Sequence, residues 1–200
     1  MNRMTLIWGW QPPQFEKMSN GNIRVFYYSQ QYTETVEHQN PETGEVETEE
    51  RTSWRCNVVE LNDKYLTDMI RENPESIECQ KRLLFERITA YDSSDHVNSF
   101  SIGGVQTWID KATRVGLKLR FEAEKRLGKT ETTLWQNGKQ FPLPLEGEVT
   151  ALDMLDGIEL YASTCYDVTQ KHLAAINTLT SVEEVKNYDY LEGYPKKLSF

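Results

Sequence analysis

The alternation of apolar and polar positions predicts a long β-hairpin in the first third of the chain. Side chains alternate in this way over residues 23–28 and again over 54–59, which is typical of strands in a sheet. The intervening segment 33–51 carries seven glutamates around Pro41-Glu42-Thr43-Gly44, a turn-forming sequence. We therefore predict one hairpin over residues 21–61 with an acidic, solvated tip. The glutamates fit either a charged loop that discourages edge-to-edge pairing or an acidic docking surface.

Helical spacing of apolar residues predicts two helices after the hairpin. The first is capped by Asp63 and ends near Arg71, and the second starts at Asn73-Pro74-Glu75 with Asn73 as its N-cap. The apolar positions expected to be buried are Tyr65, Leu66, Met69 and Ile70 in the first helix, and Ile77, Leu83, Leu84, Phe85 and Ile88 in the second. A strand over residues 97–102 then leads to Gly103-Gly104, the clearest turn in the sequence, where we place a domain boundary.

The second half of the chain contains strong local signals. A helix over residues 107–127 is predicted to end at Gly128, because glycine suits a left-handed C-terminal position. In a hairpin over residues 134–141, Asn137-Gly138 supplies both positive-φ residues of a type I′ turn.

A long helix from about residue 148 to 178 follows, and Ser181 and Glu184 form a capping box that opens a last short helix. Together the elements predict an α+β protein of two small domains. Residues 1–103 form an antiparallel β-hairpin and sheet domain with two helices. Residues 104–200 form a helical hairpin with an inserted β-hairpin.

Composition and charge exclude several classes of protein. The chain is 38% hydrophobic and has five Trp, ten Tyr and seven Phe, which is too rich for a disordered chain. No apolar run approaches the roughly 20 residues of a membrane helix, and we expect neither membrane insertion nor a signal peptide. The net charge is −9, and residues 1–104 hold 10 basic and 17 acidic side chains. Nucleic acid is therefore not an expected partner, since binding it requires a basic face.

The candidate reactive residues do not assemble into a recognisable catalytic or metal-binding motif. Cys56, Cys79 and Cys165 are scattered, which predicts reduced thiols packed as small hydrophobes. Cys165 and His172 lie on one helix but about 10.5 Å apart along its axis, too far for proton transfer. We expect no catalytic residue, no metal and no cofactor. One face of the predicted helix 107–127 carries the basic residues Lys111, Arg114, Lys118 and Lys125. We interpret it as a salt-bridged, solvated face, with Asp110, Glu124 and Asp153 as available partners, and an anion-binding stripe is the alternative.

Aromatic residues provide the candidates for partner binding. Tyr27 and Tyr28 point to opposite faces of the predicted sheet, which suggests that a second domain, a subunit or a partner covers one of them. Since most aromatic side chains are needed in the core, we select three as partner-binding candidates: Tyr28, Trp54 and Trp135.

The second half also resembles a known family. Its landmarks are Gly104-Val105-Gln106-Thr107-Trp108-Ile109-Asp110-Lys111, Arg114, Glu124-Lys125, Thr132-Thr133-Leu134-Trp135, Leu155, Glu159, Tyr161-Ala162, Cys165-Tyr166, Thr169, His172, Tyr188-Asp189-Tyr190 and Gly193-Tyr194-Pro195. Over about residues 97–200 this pattern is similar to a small uncharacterised domain of phage and prophage tail-module proteins of gut Bacteroidota, which are encoded near tail-fibre genes. The shared residues look structural: Gly104 fits a turn, Trp108 and Trp135 fit anchors between helix and hairpin, and Tyr194-Pro195 fits a C-terminal lock.

The resemblance implies a role in the virion or in tail assembly, with no catalytic residues to carry over. We expect a non-enzymatic structural tail component located in the virion or in the cytoplasm of the bacterial host. Its partners would be other phage tail or fibre proteins, with homo-oligomerisation left open. Two alternatives remain: a tail-fibre assembly chaperone absent from the virion, and a phage-encoded host-defence inhibitor or small enzyme.

Overall fold

The computed structural model describes residues 2–39 and 46–200, and the chain divides into two compact units. Unit 1 comprises Met1–Tyr91 and Leu173–Tyr188, and unit 2 comprises Asp92–His172 and Asp189–Phe200. The boundary expected between residues 103 and 104 therefore falls inside unit 2. Gly103-Gly104 is the tight turn of a short hairpin there, not a linker between units.

A four-stranded antiparallel sheet with strand order β1-β4-β3-β2 forms the basis of unit 1. Its strands are β1 (Asn2–Trp8), β2 (Phe15–Lys17), β3 (Ile23–Gln39) and β4 (Val46–Leu61). The pairing of β3 with β4 runs from Ile23 opposite Leu61 to Gln39 opposite Val46, which confirms the predicted hairpin. Its tip, residues 40–45, lies outside the described residues.

Most of the acidic segment is strand, which corrects the expected loop. Of its seven glutamates, Glu34, Glu37, Glu47, Glu49 and Glu50 lie in β3 or β4, whereas Glu42 and Glu45 lie outside the described residues. Among residues 2–39 and 46–200, β1 pairs with β4 over Trp54–Glu60 and β2 pairs with β3 over Ile23–Val25. The rest of the described hairpin is two-stranded. We call residues 31–39 and 46–53 the acidic ribbon.

A β-bulge separates the acidic ribbon from the four-stranded part of the sheet. Tyr27 pairs with Asn57 and Gln30 with Arg55, so that two residues of β3 face a single residue of β4. Tyr28 adopts a positive φ of 50° at this point. Its ring stacks on Tyr91, with ring centroids 5.5 Å apart. Tyr28 therefore contributes to the bulge through both its backbone conformation and its ring contact with Tyr91.

Both faces of the sheet are buried in its central part. Phe26, Cys56 and Val58 form a buried cluster on one face, with Leu6 packed against it. On the other face the buried side chains are those of Ile23, Val25, Tyr27, Val59 and Leu61. The strands therefore carry apolar residues at consecutive positions, not only at alternate ones.

The helices of unit 1 are α1 (Lys64–Glu72), α2 (Ile77–Asp92), whose last residue belongs to unit 2, and α5 (Val182–Asn187). The Asp63 side chain caps α1 as predicted, accepting a hydrogen bond from the Leu66 amide. Tyr65 was expected to be buried but is 70% exposed. Asn73 ends α1, and α2 begins at Ile77 after Ser76, whose hydroxyl accepts from the Cys79 amide. The predicted start of the second helix was therefore three residues too early.

Unit 2 contains two β-hairpins and two long helices. The elements are β5 (Phe100–Ile102), β6 (Val105–Thr107), α3 (Lys111–Arg126), β7 (Glu131–Gln136), β8 (Lys139–Pro144) and α4 (Ala151–Ile176), whose last four residues belong to unit 1. The Asn137-Gly138 turn has positive φ at both residues, as predicted, and the Ser181 capping box of α5 is present. The α+β class and the helical hairpin with its inserted β-hairpin are confirmed.

Three boundaries in unit 2 differ from expectation. Strand β5, predicted over residues 97–102, starts only at Phe100. A turn precedes it, in which the Ser94 carbonyl accepts hydrogen bonds from the Val97 and Asn98 amides. Helix α3 starts at Lys111 because Asp110 acts as its N-cap. Helix α4 is shorter than predicted at both ends.

The core of unit 2 is formed where β5, α3, β7 and α4 meet. Its buried side chains are Phe100, Ile102, Ile109, Phe121, Leu134, Leu145, Ala151, Met154, Leu155 and Ile158. Residues near the C-terminus extend this packing: Leu198 packs against the cluster, and the Phe200 ring meets Phe100 edge-on at 5.9 Å. None of the described helices is both long enough and apolar enough to cross a bilayer.

Candidate interaction surface

Two of the three predicted partner-binding residues lie near the bulge of β3. Tyr28 is half-buried at the bulge itself, and Trp54 is half-buried in β4 opposite Gln31. Trp135 belongs to unit 2, where its side chain is 61% exposed on β7. It is therefore not a buried anchor between helix and hairpin. Trp108 does pack against the core of unit 2, and its ring contacts Tyr161.

An open cleft of about 570 Å³ lies where the acidic ribbon leaves the sheet. Gln30, Gln31, Tyr32 and Arg55 line it. The Arg55 guanidinium lies over the Tyr32 ring at 5.5 Å, and Gln30 Nε2 donates to the Tyr28 hydroxyl at 3.0 Å. Amide N–H and guanidinium N–H groups are hydrogen-bond donors. The cleft lining therefore suits the binding of peptide carbonyls or carboxylates.

Beyond this cleft, no strand among the described residues pairs with the outer edge of β3. On that side, after the pairing with β2, the Phe26 amide donates to the Gln14 carbonyl. In an antiparallel pair, alternate residues direct their N–H and C=O groups outward. Residues 30–38 therefore offer a row of backbone donors and acceptors to another strand.

The acidic ribbon carries five glutamates and one arginine in its described residues. Glu34 is half-buried opposite Arg51, and its carboxylate accepts from the Ser53 hydroxyl at 2.6 Å. Glu37, Glu49 and Glu50 are exposed. The field around the acidic ribbon is therefore negative, and it favours a cationic ligand over an anionic one.

The surroundings of Cys165 support a packing role for this thiol. Burial raises its pKa, the nearby Asp92 carboxylate raises it further, and a hydrogen bond with Tyr161 opposes both effects. A thiol with a raised pKa carries little of the nucleophilic thiolate near neutral pH. All three cysteines are free and buried, as the sequence predicted.

A chain of hydrogen bonds next to Cys165 involves segments of unit 2 that are distant in sequence. The Thr169 hydroxyl donates to Asp92 Oδ1 at 2.6 Å, so the Tyr194 hydroxyl, 2.8 Å away, acts as donor to Thr169. His172 Nε2 lies 2.9 Å from the Glu192 carbonyl oxygen, and its ring stacks on Tyr194. These contacts join α4 to the C-terminal segment, which is the structural role expected for Tyr194.

The basic side chains of α3 form ion pairs, although not with the expected acids. Arg114 Nη2 lies 2.7 Å from Glu159, and Lys118 Nζ lies 2.6 Å from Asp156, both on α4. The expected partners are occupied locally: Asp110 caps α3, Glu124 contacts Thr132 and Lys129, and Asp153 accepts from Thr150. Lys111 Nζ also lies 3.9 Å from Glu159 Oε1, so the interpretation as a salt-bridged face is confirmed for Lys111, Arg114 and Lys118, with different partners.

Sequence reasoning missed a buried carboxylate, Glu86 on α2. Its side chain lies 2.6 Å from Arg82 Nη2, which also lies 3.0 Å from Asp63 Oδ2. Burial raises the pKa of Glu86, whereas hydrogen bonds from the Leu66 amide, followed by those from Arg82, lower the pKa of Asp63. The spacing of Arg82 and Glu86, four residues apart on one helix, is the only signal that could have indicated this pair.

No group of three or more His, Cys, Asp or Glu side chains within residues 2–39 and 46–200 is arranged to hold a metal ion. The fold and this surface define the chain as an α+β protein with an acidic β-ribbon next to a polar cleft. The chain matches no protein-family model, and neither a curated protein nor a solved structure shows significant similarity to it.

Proposed function

We propose that this chain is a non-enzymatic structural component of a phage or prophage tail module and acts through protein–protein contacts. The observation that carries the proposal is the acidic ribbon. A two-stranded ribbon is marginally stable in water on its own, and glutamates of like charge lower its stability further. A partner that pairs with its edge and neutralises its charge would offset both costs.

The resemblance of residues 97–200 to tail-module proteins of gut Bacteroidota supplies the biological context of the proposal. Some of its landmark residues have structural roles in unit 2, although Trp135 is exposed. Gly104 adopts the positive φ of a turn, and Tyr194 contacts Thr169. Such roles agree with a family defined by its fold, and leave partner contacts to the more variable surface.

The lining of the cleft favours binding over catalysis. The described residues that line it supply two amides, a guanidinium and a phenol, and none of them carries a carboxylate, thiol or imidazole. Glu86 and Cys165, whose pKa values are shifted, are not among the lining residues. A catalytic site usually brings a shifted titratable group into the cleft that binds the substrate.

The proposal is tested by quantitative mass spectrometry of purified phage particles beside the matching lysate. A structural component is expected at a fixed copy number per particle, and that number indicates the symmetry of its position. Presence in the lysate without recovery from particles would contradict the proposal. It would leave the assembly chaperone, the host-defence inhibitor and the small enzyme as the remaining candidates.

A further inference from the structure

The outer edge of β3 is long enough to accept a complete additional strand. Residues 30–38 span about 30 Å at roughly 3.3 Å per residue. An ordinary strand needs only about five to six residues. No described strand pairs with this edge beyond the short β2, and the cleft lined by Gln30 and Arg55 lies at one end of it.

The charge of the acidic ribbon discriminates between the candidate occupants of this edge. A second copy of the chain would bring Glu34 and Glu37 beside the same negative strands, and like charges on neighbouring strands destabilise pairing. Glu34 and Glu37 are three residues apart in β3, so their side chains lie on opposite faces of the ribbon. A strand with two basic residues three positions apart, one directed to each face, would instead place a cation beside each carboxylate. The charge therefore selects a basic strand and disfavours self-pairing.

The cleft adds a second set of contacts for the same occupant. A strand lying along residues 30–38 passes Gln30, Gln31 and Arg55, whose amide and guanidinium groups match backbone carbonyls. Backbone pairing of this kind supplies affinity, and the pattern of alternate side chains supplies specificity.

We propose that the outer edge of β3 binds an extended basic segment of a tail or fibre protein by strand addition. Lysine or arginine side chains of this segment lie beside Glu34 and Glu37, and its backbone pairs with residues 30–38. The inference rests on the proposed function for the origin of the segment. The chemistry of recognition, a basic strand on an acidic edge, follows from the ribbon itself.

The test measures binding of three synthetic octapeptides to the full chain by fluorescence anisotropy at low and moderate salt. The first carries two lysines three positions apart among valines and threonines, so that one lysine is directed to each face of the strand. The second replaces each lysine by glutamate, and the third is the basic peptide with alternate backbone nitrogens methylated. Only the first is expected to bind, because it alone combines positive charge with a complete set of backbone donors.

Two matched variants separate the charge of the ribbon from the net charge of the protein. Glu34→Gln/Glu37→Gln is expected to weaken binding of the basic peptide roughly three- to tenfold, since two ion pairs are lost. Glu131→Gln/Glu146→Gln removes the same number of charges at exposed positions of unit 2 and is expected to bind as the native protein does. Sedimentation velocity at the assay concentration verifies that each protein has the same oligomeric state.

Several results would overturn the inference. Equal binding of the basic and methylated peptides would mean charge attraction without strand addition. Equal weakening by both variants would mean a non-specific effect of net charge, and the absence of binding would exclude the basic strand as occupant. A dimer that depends on residues 30–38 would identify a second copy as the occupant. Each of these results leaves the particle measurement unchanged, so this inference and the proposed function fail separately.

Discussion

At the scale of single residues, the clearest compromise in unit 1 is the burial of the Glu86 carboxylate. Glu86 is 5% exposed, and its partner Arg82 is shared with Asp63. Removing a carboxylate from water is costly, and a shared guanidinium compensates for this only in part. The pKa of Glu86 is raised because the effect of burial exceeds the opposing effect of Arg82.

We predict that Glu86 makes the stability of the protein decrease as the pH rises. Its pKa is higher in the folded protein than the value of about 4.3 expected for an unfolded chain. Between these two values the folded state binds more protons, so the free energy of unfolding falls as pH increases through that window. Asp63 has the opposite sign, because its lowered pKa stabilises the fold above about pH 3.9 and that contribution is lost in acid.

The comparison of native protein with Glu86→Gln isolates this effect. Urea unfolding is measured between pH 4 and 7, and the stability of the native protein relative to the variant is expected to decline with rising pH. Glu78→Gln, at an exposed position of the same helix, is the matched control. A difference between native protein and Glu86→Gln that does not change with pH would show that Glu86 does not titrate as proposed.

At the scale of elements, local chemistry determined what the sequence could predict. Asn137-Gly138 and the Ser181 capping box specify their geometry within a few residues, and both were predicted correctly. The strands of the acidic ribbon were missed because their alternation is of threonine, glutamate and glutamine, without an apolar period. The start of α2 was misplaced because Asn73 is the C-cap of α1, not the N-cap of α2. The preference of asparagine for helix ends does not distinguish these two roles.

The candidate surface was predictable only in part, because it depends on pairings distant in sequence. Tyr28 and Trp54 were selected as aromatic residues of the sheet, and they do lie near the cleft. The bulge after which Gln30 pairs with Arg55 has no sequence signature, since it results from the register of β3 against β4. The pairing of Arg114 with Glu159 likewise depends on how α3 lies against α4.

We predict opposite effects for two glycine-to-alanine substitutions in unit 2. Gly138 has a φ of +76° in the β7–β8 turn, so Gly138→Ala is expected to destabilise by about 1–2 kcal/mol. Gly116 lies within α3, and Gly116→Ala is expected to stabilise by roughly 0.5–1 kcal/mol. An added Cβ would meet no atom within 4 Å at either position, so both effects arise from the backbone. Thermal unfolding measures both, and a shift in the same direction would refute this explanation.

A second prediction at this scale compares two of the ion pairs between α3 and α4, Arg114–Glu159 and Lys118–Asp156. The Arg114 side chain is 7% exposed and also donates to the Ile109 carbonyl, whereas Lys118 and Asp156 are both solvent-exposed. Glu159→Gln leaves a buried cation without its carboxylate and is expected to cost about 1–2 kcal/mol. Asp156→Asn is expected to cost less than about 0.5 kcal/mol. Urea unfolding followed by tryptophan fluorescence compares them, and equal costs would contradict the role of burial.

At the scale of the whole molecule, charge is distributed unevenly along a chain of net charge −9. Residues 1–104 contain 10 basic and 17 acidic side chains, and residues 105–200 contain 12 and 14. Much of the excess of acidic over basic side chains lies in the acidic ribbon, the part of the described sheet that is only two strands wide. The same glutamates would thus keep the ribbon from pairing with copies of itself and attract a basic partner.

This dual role predicts that neutralising the ribbon causes self-association. The quadruple variant Glu34→Gln/Glu37→Gln/Glu49→Gln/Glu50→Gln keeps residues of strand-compatible shape. It removes most of the charge repulsion along the two edges of the acidic ribbon, with which no described strand pairs. It is expected to form concentration-dependent oligomers in sedimentation velocity, because edge strands rich in threonine and valine pair readily once uncharged.

The control for self-association removes four charges elsewhere, in unit 2. Glu131→Gln/Glu146→Gln/Glu148→Gln/Glu192→Gln changes exposed residues and gives the same net charge as the ribbon variant. It is expected to sediment as the native protein does. Association of both variants would assign solubility to the net charge of the molecule, and association of neither would mean that the ribbon edges are protected without their glutamates. If the ribbon variant associates and the control does not, the glutamates of the acidic ribbon prevent self-pairing, as expected for an edge that binds a basic strand.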